Sequence, residues 1–216
     1  MKIKSKKNNK SPTVRVEHGG SGTIRIVAGQ WRRAVIMVAD SPGLRPTLGR
    51  VRETVFSWLY SLIGGLEGKA CLDMFAGTGI LGLEAMSRGA QYVKWIEKEP
   101  RLAKSIKDTL FKFKASDGFD VVCQDAFVAL QKEKQQYDVI FIDPPFDQKW
   151  QMSAVEKAMH VLAPDGLLYV ESNIEGLPNE FLRTKHLVRL RQGTAGDVVY
   201  EIFVRDTSAL VSLAKE

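Results

Sequence analysis

The stretch LDMFAGTGILG (72–82) constrains the fold of this chain more than any other. An apolar run ends at Asp73, the turn Gly77-x-Gly79-x-x-Gly82 follows, and an apolar helical pattern resumes as ILGLEAMSRG. Strand, small-residue turn and helix in that order open a βαβ unit. The rhythm then repeats. YVKWIE predicts a second strand, and residues 100–114 predict a helix whose Pro100 suits a first turn that needs no N–H. FDVVCQ and DVIFID predict a third and a fourth strand, residues 149–163 a helix, and GLLYVES a fifth strand. Repeated βα units make a mostly parallel sheet covered on both faces. HLVRLRQ and VVYEIFV, joined by GTAGD, read instead as an antiparallel pair added at the end.

Upstream, TIRIVAG and RAVIMV flank QWR and predict a β-hairpin. DSPGLRPT holds Pro42, Gly43 and Pro46 and reads as a loop. A helix beginning near Leu48 places Val51, Val55, Leu59 and Leu62 on one face and stops at Gly64 and Gly65. The expected organisation is a basic flexible tail over 1–22, a hairpin-and-helix extension over 23–66, an α/β domain over 67–206 and a tail over 207–216.

Composition narrows the function. At 216 residues, 44% hydrophobic and 26% charged, the chain suits one domain with a small appendage. No apolar run approaches the roughly 20 residues of a membrane span. The lysine-rich start lacks the apolar segment of a secretory signal, so a cytoplasmic protein is expected. Residues 1–50 carry eleven Lys and Arg against two acids, and the rest twenty against twenty-three. The formal charge of +6 therefore comes from the N-terminal quarter. A basic surplus confined there favours a phosphate-rich partner. Cys71 and Cys123 fall in predicted strands and are expected as buried, reduced thiols. His18, His160 and His186 form no metal-ligand pattern, so no metal is expected.

In open α/β sheets, ligands bind outside the carboxyl ends of the strands. Asp73 sits there, beside the glycine turn. A carboxylate at that point would repel a dinucleotide pyrophosphate and attract an ammonium or sulfonium group. It tilts the reading from NAD towards S-adenosylmethionine. Glu97 closes the next strand, eighteen residues after Gly79, where an acid can accept hydrogen bonds from ribose hydroxyls. Asp125, with the following backbone N–H, suits an adenine edge, and equally suits the N-cap of AFVALQK.

Asp143-Pro144-Pro145-Phe146 ends the fourth strand and should face the same crevice. An amino group conjugated to an aromatic base is a poor nucleophile, because its lone pair is delocalised. A carboxylate and a rigidly placed proline carbonyl can accept its two hydrogens and favour a pyramidal nitrogen. They also stabilise positive charge as it develops. An aromatic ring beside them can stack on the base, and the Pro-Pro step keeps the parts in place.

The segments DxFAGTGxLGLEAxSRGA, IEKE and FIDPPF resemble the class I S-adenosylmethionine-dependent methyltransferases. IVAGQWRR…DSPGLRPTLGRVRETVFSWL sharpens this to a resemblance to the RsmD family of 16S ribosomal RNA guanine-N2 methyltransferases, over roughly residues 23–204. The resemblance implies a Rossmann-like sheet of seven strands with an N-terminal hairpin, S-adenosylmethionine as cofactor, and 16S rRNA, free or in an assembling small subunit, as partner. Carried over by position, Asp73, Phe75, Gly77, Thr78 and Gly79 line the methionine end of the cofactor. Glu97 takes the ribose, Asp125 and Ala126 meet the adenine, and Asp143 to Phe146 hold the target base. Arg32, Arg33, Arg45, Arg50 and Arg52 are the expected RNA contacts, with the cofactor carboxylate as the alternative partner of Arg45, Arg50 and Arg52. A monomer is the default expectation, since nothing marks an interface. Adenine-N6 or glutamine methylation, a nicotinamide-dependent oxidoreductase and a non-catalytic RNA-binding domain are the competing readings. The oxidoreductase reading leaves Asp73 and the Pro-Pro step without a role, and the RNA-binding reading has only the basic N-terminus to support it.

Overall fold

The computed structural model describes residues 22–38, 47–145, 150–173 and 175–215. Residues 1–21 of the predicted tail and 40–46 of the DSPGLRPT loop, with Arg45, lie outside them, as does Phe146. The chain opens with β1 (Thr23–Arg25), β2 (Val35–Met37) and α1 (Gly49–Ile63). It continues through β3 (Ala70–Asp73), α2 (Ile80–Ser87), β4 (Tyr92–Glu97), α3 (Pro100–Lys112), β5 (Phe119–Cys123) and α4 (Ala126–Leu130). Then come β6 (Tyr137–Ile142), α5 (Gln151–Met159), β7 (Leu162–Asn173), α6 (Asn179–Thr184), β8 (Leu187–Ala195) and β9 (Val198–Arg205).

Seven strands form one sheet in the order β5-β4-β3-β6-β7-β9-β8, and β1 pairs with β2 in a separate two-stranded sheet. The pairings are parallel from β5 to β7, while β9 runs antiparallel to both β7 and β8. Alternation along the strands builds two cores. Cys71, Trp95, Val139, Phe141 and Tyr169 point to one face, against Val51, Val55, Phe56 and Leu59 of α1 and Leu81, Leu83 and Ala85 of α2. Leu72, Ile96, Ile140, Ile142, Leu168 and Val170 point to the other, against Leu130, Ala154, Val155 and Leu182. Phe56 and Phe141 meet at 5.8 Å across the first interface. Such a ring pair adds roughly 0.5–1.5 kcal/mol beyond its buried area.

The hairpin is fastened to α1 and α2 by buried polar groups. Glu84 of α2, fully buried, accepts the Val27 N–H at 2.6 Å and lies 3.5 Å from the Arg52 guanidinium. Arg52 in turn donates to the carbonyls of Thr47 at 2.5 Å and Arg25 at 2.8 Å. Farther along, the Gln30 N–H reaches the Ser87 carbonyl at 2.7 Å and the Trp31 N–H its hydroxyl at 3.0 Å. Since α2 runs from the carboxyl end of β3 back towards the start of β4, the hairpin turn lies at the starting edge of the sheet.

Three local expectations change. Cys123 is exposed, at the last position of β5, so only Cys71 is the buried thiol foreseen. α5 is shorter than predicted because β7 begins early: Tyr137 pairs with Leu162, the register shifts, and pairing resumes at Val139 and Leu167. Pro164 lies in the irregular segment between, where a missing N–H is tolerated. Residues Ala209–Lys215, read as a tail, form a 3-10 helix, and Arg191 donates to the Leu213 carbonyl at 3.0 Å. Among the described residues, no helix is long and apolar enough to cross a membrane.

Candidate active site

Strand order reverses between β3 and β6, and the crevice outside their carboxyl ends is where ligands of such sheets bind. Asp73 lies level with Phe141, so Asp143 projects from the same face two residues farther out. On the next strand Tyr169 lies level with Phe141, which brings Glu171 level with Asp143. Three carboxylates from adjacent strands thus share one face at one end of the sheet.

The glycine turn is held from beneath. Asp73, 2% exposed, accepts the Gly82 N–H at 3.0 Å. Burial pushes its carboxyl up to about 8; the Gly82 hydrogen bond opposes this and the Glu97 charge adds to it. Glu97 holds the Gly77 N–H at 2.7 Å through one oxygen and the Glu99 N–H at 2.7 Å through the other. The fully buried Trp95 donates its indole N–H to the Gly79 carbonyl at 3.0 Å. A Cβ on Gly82 would lie 2.3 Å from that indole nitrogen, and one on Gly79 would meet Ile106 at 2.8 Å. Two of the three glycines are therefore required by a tryptophan and an isoleucine. Gly77 and Thr78, half-buried, are the part of the turn left facing outward.

An aromatic wall stands beside the turn. The rings of Phe75, Phe127 and Trp150 meet pairwise at 5.9, 6.3 and 5.7 Å, and the Lys98 ammonium lies 5.4 Å over Trp150. Asp125 caps α4, accepting the Val128 N–H at 3.1 Å, and Ala126 behind it is buried. The cap uses one carboxylate oxygen, so the two predictions for Asp125 concern different atoms.

Across the crevice, Asp143 is half-buried, Pro144 buried and Pro145 exposed. Burial holds the Asp143 carboxyl well above the usual range, and the charges of Glu171 and Asp73 raise it further. Glu171, 5% exposed, was not foreseen from the sequence, and neither was Trp150. Tyr169 donates its hydroxyl to Glu171 at 2.7 Å, the Thr47 side chain hydrogen-bonds it, and Arg52 supplies an opposing charge. A carboxylate in GLLYVES was the available signal. Trp150, beyond a two-proline step, carried none.

The arginines part company. Arg52 is 3% exposed and belongs to the scaffold: its contacts are Glu84 and two backbone carbonyls, so no RNA phosphate can reach it. Arg50 is exposed at the start of α1. Arg32 and Arg33 are exposed in the hairpin turn, at the edge of the sheet opposite the crevice. Among the described residues, no group of three or more His, Cys, Asp or Glu is arranged to hold a metal ion.

This strand order, with acids closing β3, β4 and β6 around a glycine turn, is the class I methyltransferase fold. The family described as conserved hypothetical protein 95 matches residues 24–204, and the chain belongs to it, the RsmD family. It is 39% identical over 196 residues to "Ribosomal RNA small subunit methyltransferase D" of Escherichia coli (strain K12), covering 88% of this chain and 93% of that protein. The protein of the same name from Haemophilus influenzae is 36% identical over 191 residues, covering 84% and 94%. A solved E. coli structure described as a candidate methyltransferase, yhhF, superposes with a TM-score of 0.75 at 35% identity, covering 85% of this chain and 98% of that one.

Proposed function

We propose that the protein transfers a methyl group from S-adenosylmethionine to the exocyclic N2 of a guanine in 16S ribosomal RNA. The observation that carries this reading is the placement of Asp143 and Pro144 across the strand-order reversal from Asp73. The donor set fits the cofactor. Asp73 suits its ammonium, Glu97 its ribose diol, and the wall of Phe75, Phe127 and Trp150 a flat apolar group. When bound, the cofactor supplies an electrophilic methyl group on a cationic sulfur.

The chain's own residues do the rest. The Asp143 carboxylate and the Pro144 carbonyl accept the two amino hydrogens and draw the nitrogen lone pair out of conjugation. Phe146, which lies outside the described residues, is assigned the stacking contact with the base on its sequence position alone. The rigid Pro-Pro step removes the entropy that a flexible grip would lose on binding. Asp143 also stabilises the positive charge that grows on nitrogen, and it is the group that would take the surplus proton. The 2-amino group of a paired guanine is engaged, so the base must be unpaired or extruded. Arg50, exposed in the first turn of α1, would meet RNA phosphate. Arg32 and Arg33 would touch RNA only if the substrate runs along the α1–α2 flank to the far edge of the sheet.

The test is Asp143→Ala in a labelled-methyl assay on 16S rRNA, with folding checked by circular dichroism. Loss of a positioned acid–base group costs about 10²–10⁴ in rate. Retention of near-normal transfer in a folded variant removes the proposed role. Mapping the methylated position by mass identifies the base and atom, and a methyl group on adenine or on protein replaces the guanine reading.

A further inference from the structure

We propose that Glu171 is a positioning residue that sets the proton affinity of Asp143, and that Tyr169, Thr47 and Arg52 hold it charged for that purpose. This rests on the reading of Asp143 as the group that grips the target amine. The step it serves is proton loss from the methylated amine. An N–H bond breaks, its electron pair stays on nitrogen, and the proton passes to a carboxylate oxygen of Asp143.

The geometry comes from strand register. Ile142 is level with Val170, so Asp143 and Glu171 follow as the next pair, on one face of parallel neighbours about 4.8 Å apart. Two carboxylates this close do not both ionise freely: charge on one raises the proton affinity of the other. Which of them keeps the charge is decided by their partners. Glu171 accepts the Tyr169 hydroxyl at 2.7 Å, is hydrogen-bonded by Thr47, and feels the opposing charge of Arg52. All three favour its ionised form. The described charges around Asp143 are of the opposite effect, since Asp73 and Glu171 are both acids. Burial raises both carboxyls; the neighbouring acids add to that rise at Asp143, whereas the partners of Glu171 oppose it.

The titratable and charged groups that face the pair, among the described residues, come from four neighbouring elements and from β7 itself. They are Asp73 on β3, Tyr169 on β7, Tyr200 opposite Glu171 on β9, Arg52 on α1 and, behind Arg52, Glu84 on α2. None of these changes in the variant that tests the idea.

Glu171→Gln keeps the size of the side chain and an oxygen for the Tyr169 hydroxyl, and removes the charge. The acid limb of the kcat profile should then move to lower pH by about one unit, the usual scale for a like charge at this separation. Carbon-13 carboxyl NMR of the ligand-free protein should show the Asp143 midpoint falling in the same direction. A residue that merely packs would lower the rate by one factor at every pH and leave that midpoint in place, and this outcome overturns the proposal. Should Glu171→Gln not fold, Tyr169→Phe removes a donor that keeps Glu171 charged, and the midpoint should fall by a smaller amount. An unchanged midpoint there also overturns it. An active Asp143→Asn variant would sink the preceding reading of Asp143. An inactive one, combined with an unmoved midpoint in Glu171→Gln, would sink this inference alone.

Discussion

On the β3–β4 side of the crevice, Asp73 and Glu97 are held by backbone amides of Gly82, Gly77 and Glu99, all within the β3–α2–β4 unit and the two residues that follow it. On the β6–β7 side, Asp143 and Glu171 have no such turn around them among the described residues. Glu171 is held by side chains: Tyr169 two residues away, and Thr47 and Arg52 from the far end of the chain. The first half is built as soon as its own turn folds. The second is complete only when α1 and the hairpin have docked. Damage to that docking should reach the substrate side and spare the cofactor side, and damage to the glycine turn should do the reverse.

The largest expected effect comes from the docking. Glu84→Ala leaves Arg52 buried without its acid and the Val27 N–H without its acceptor. Removing one partner of a buried ion pair costs about 3–5 kcal/mol, read as a fall in the urea midpoint. In the fraction that stays folded, rRNA methylation should drop far more than cofactor affinity. Equal losses of both would break the division into two halves. The complementary change is Gly82→Ala. Its Cβ would enter the fully buried Trp95 ring, which has no room to retreat. Overpacking of this kind costs about 1–3 kcal/mol. The displaced indole would also release the Gly79 carbonyl, so cofactor binding by calorimetry should weaken while RNA binding persists.

The same division explains what could be read from the sequence. Asp73, the glycine spacing and Glu97 belong to one local unit, in which chain order alone fixes which groups meet. The Asp-Pro-Pro step was legible because a strand must deliver it to the crevice. Glu171 was not, because its meaning depends on Thr47 and Arg52, and no local pattern joins residue 47 to residue 171. Arg52 was misread for the same reason. Charge and position in a basic region suggested RNA, whereas Glu84, on a different helix, had already claimed its guanidinium. The glycines were read correctly as a turn but for an incomplete cause, since Trp95 and Ile106 explain two of them without any ligand. The exposed Cys123 and the early start of β7 show the same limit at strand ends, where pairing partners decide and composition does not.

Asp73 offers the finest test of the cofactor half. Its carboxyl ordinarily titrates near 3.8, and burial in the folded protein pushes it up to about 8. Between those values the folded, ligand-free protein holds a proton that the unfolded chain has lost. The group's contribution to stability therefore falls as pH rises through that window. A cationic ligand beside Asp73 favours the ionised form, so binding must expel the proton. Affinity for S-adenosylmethionine should then rise as pH approaches 8, by at most about tenfold per pH unit for a single proton. Calorimetry in buffers of different ionisation enthalpy should register the proton released. Asp73→Asn should abolish that release, flatten the pH dependence, and raise the melting temperature of the ligand-free protein at pH 8 more than at pH 5. If the wild-type protein releases no proton that the variant fails to release, Asp73 does not meet the cation. The cofactor half would then be a glycine turn braced by a tryptophan, with the Asp73 carboxyl serving only as the acceptor of the Gly82 N–H.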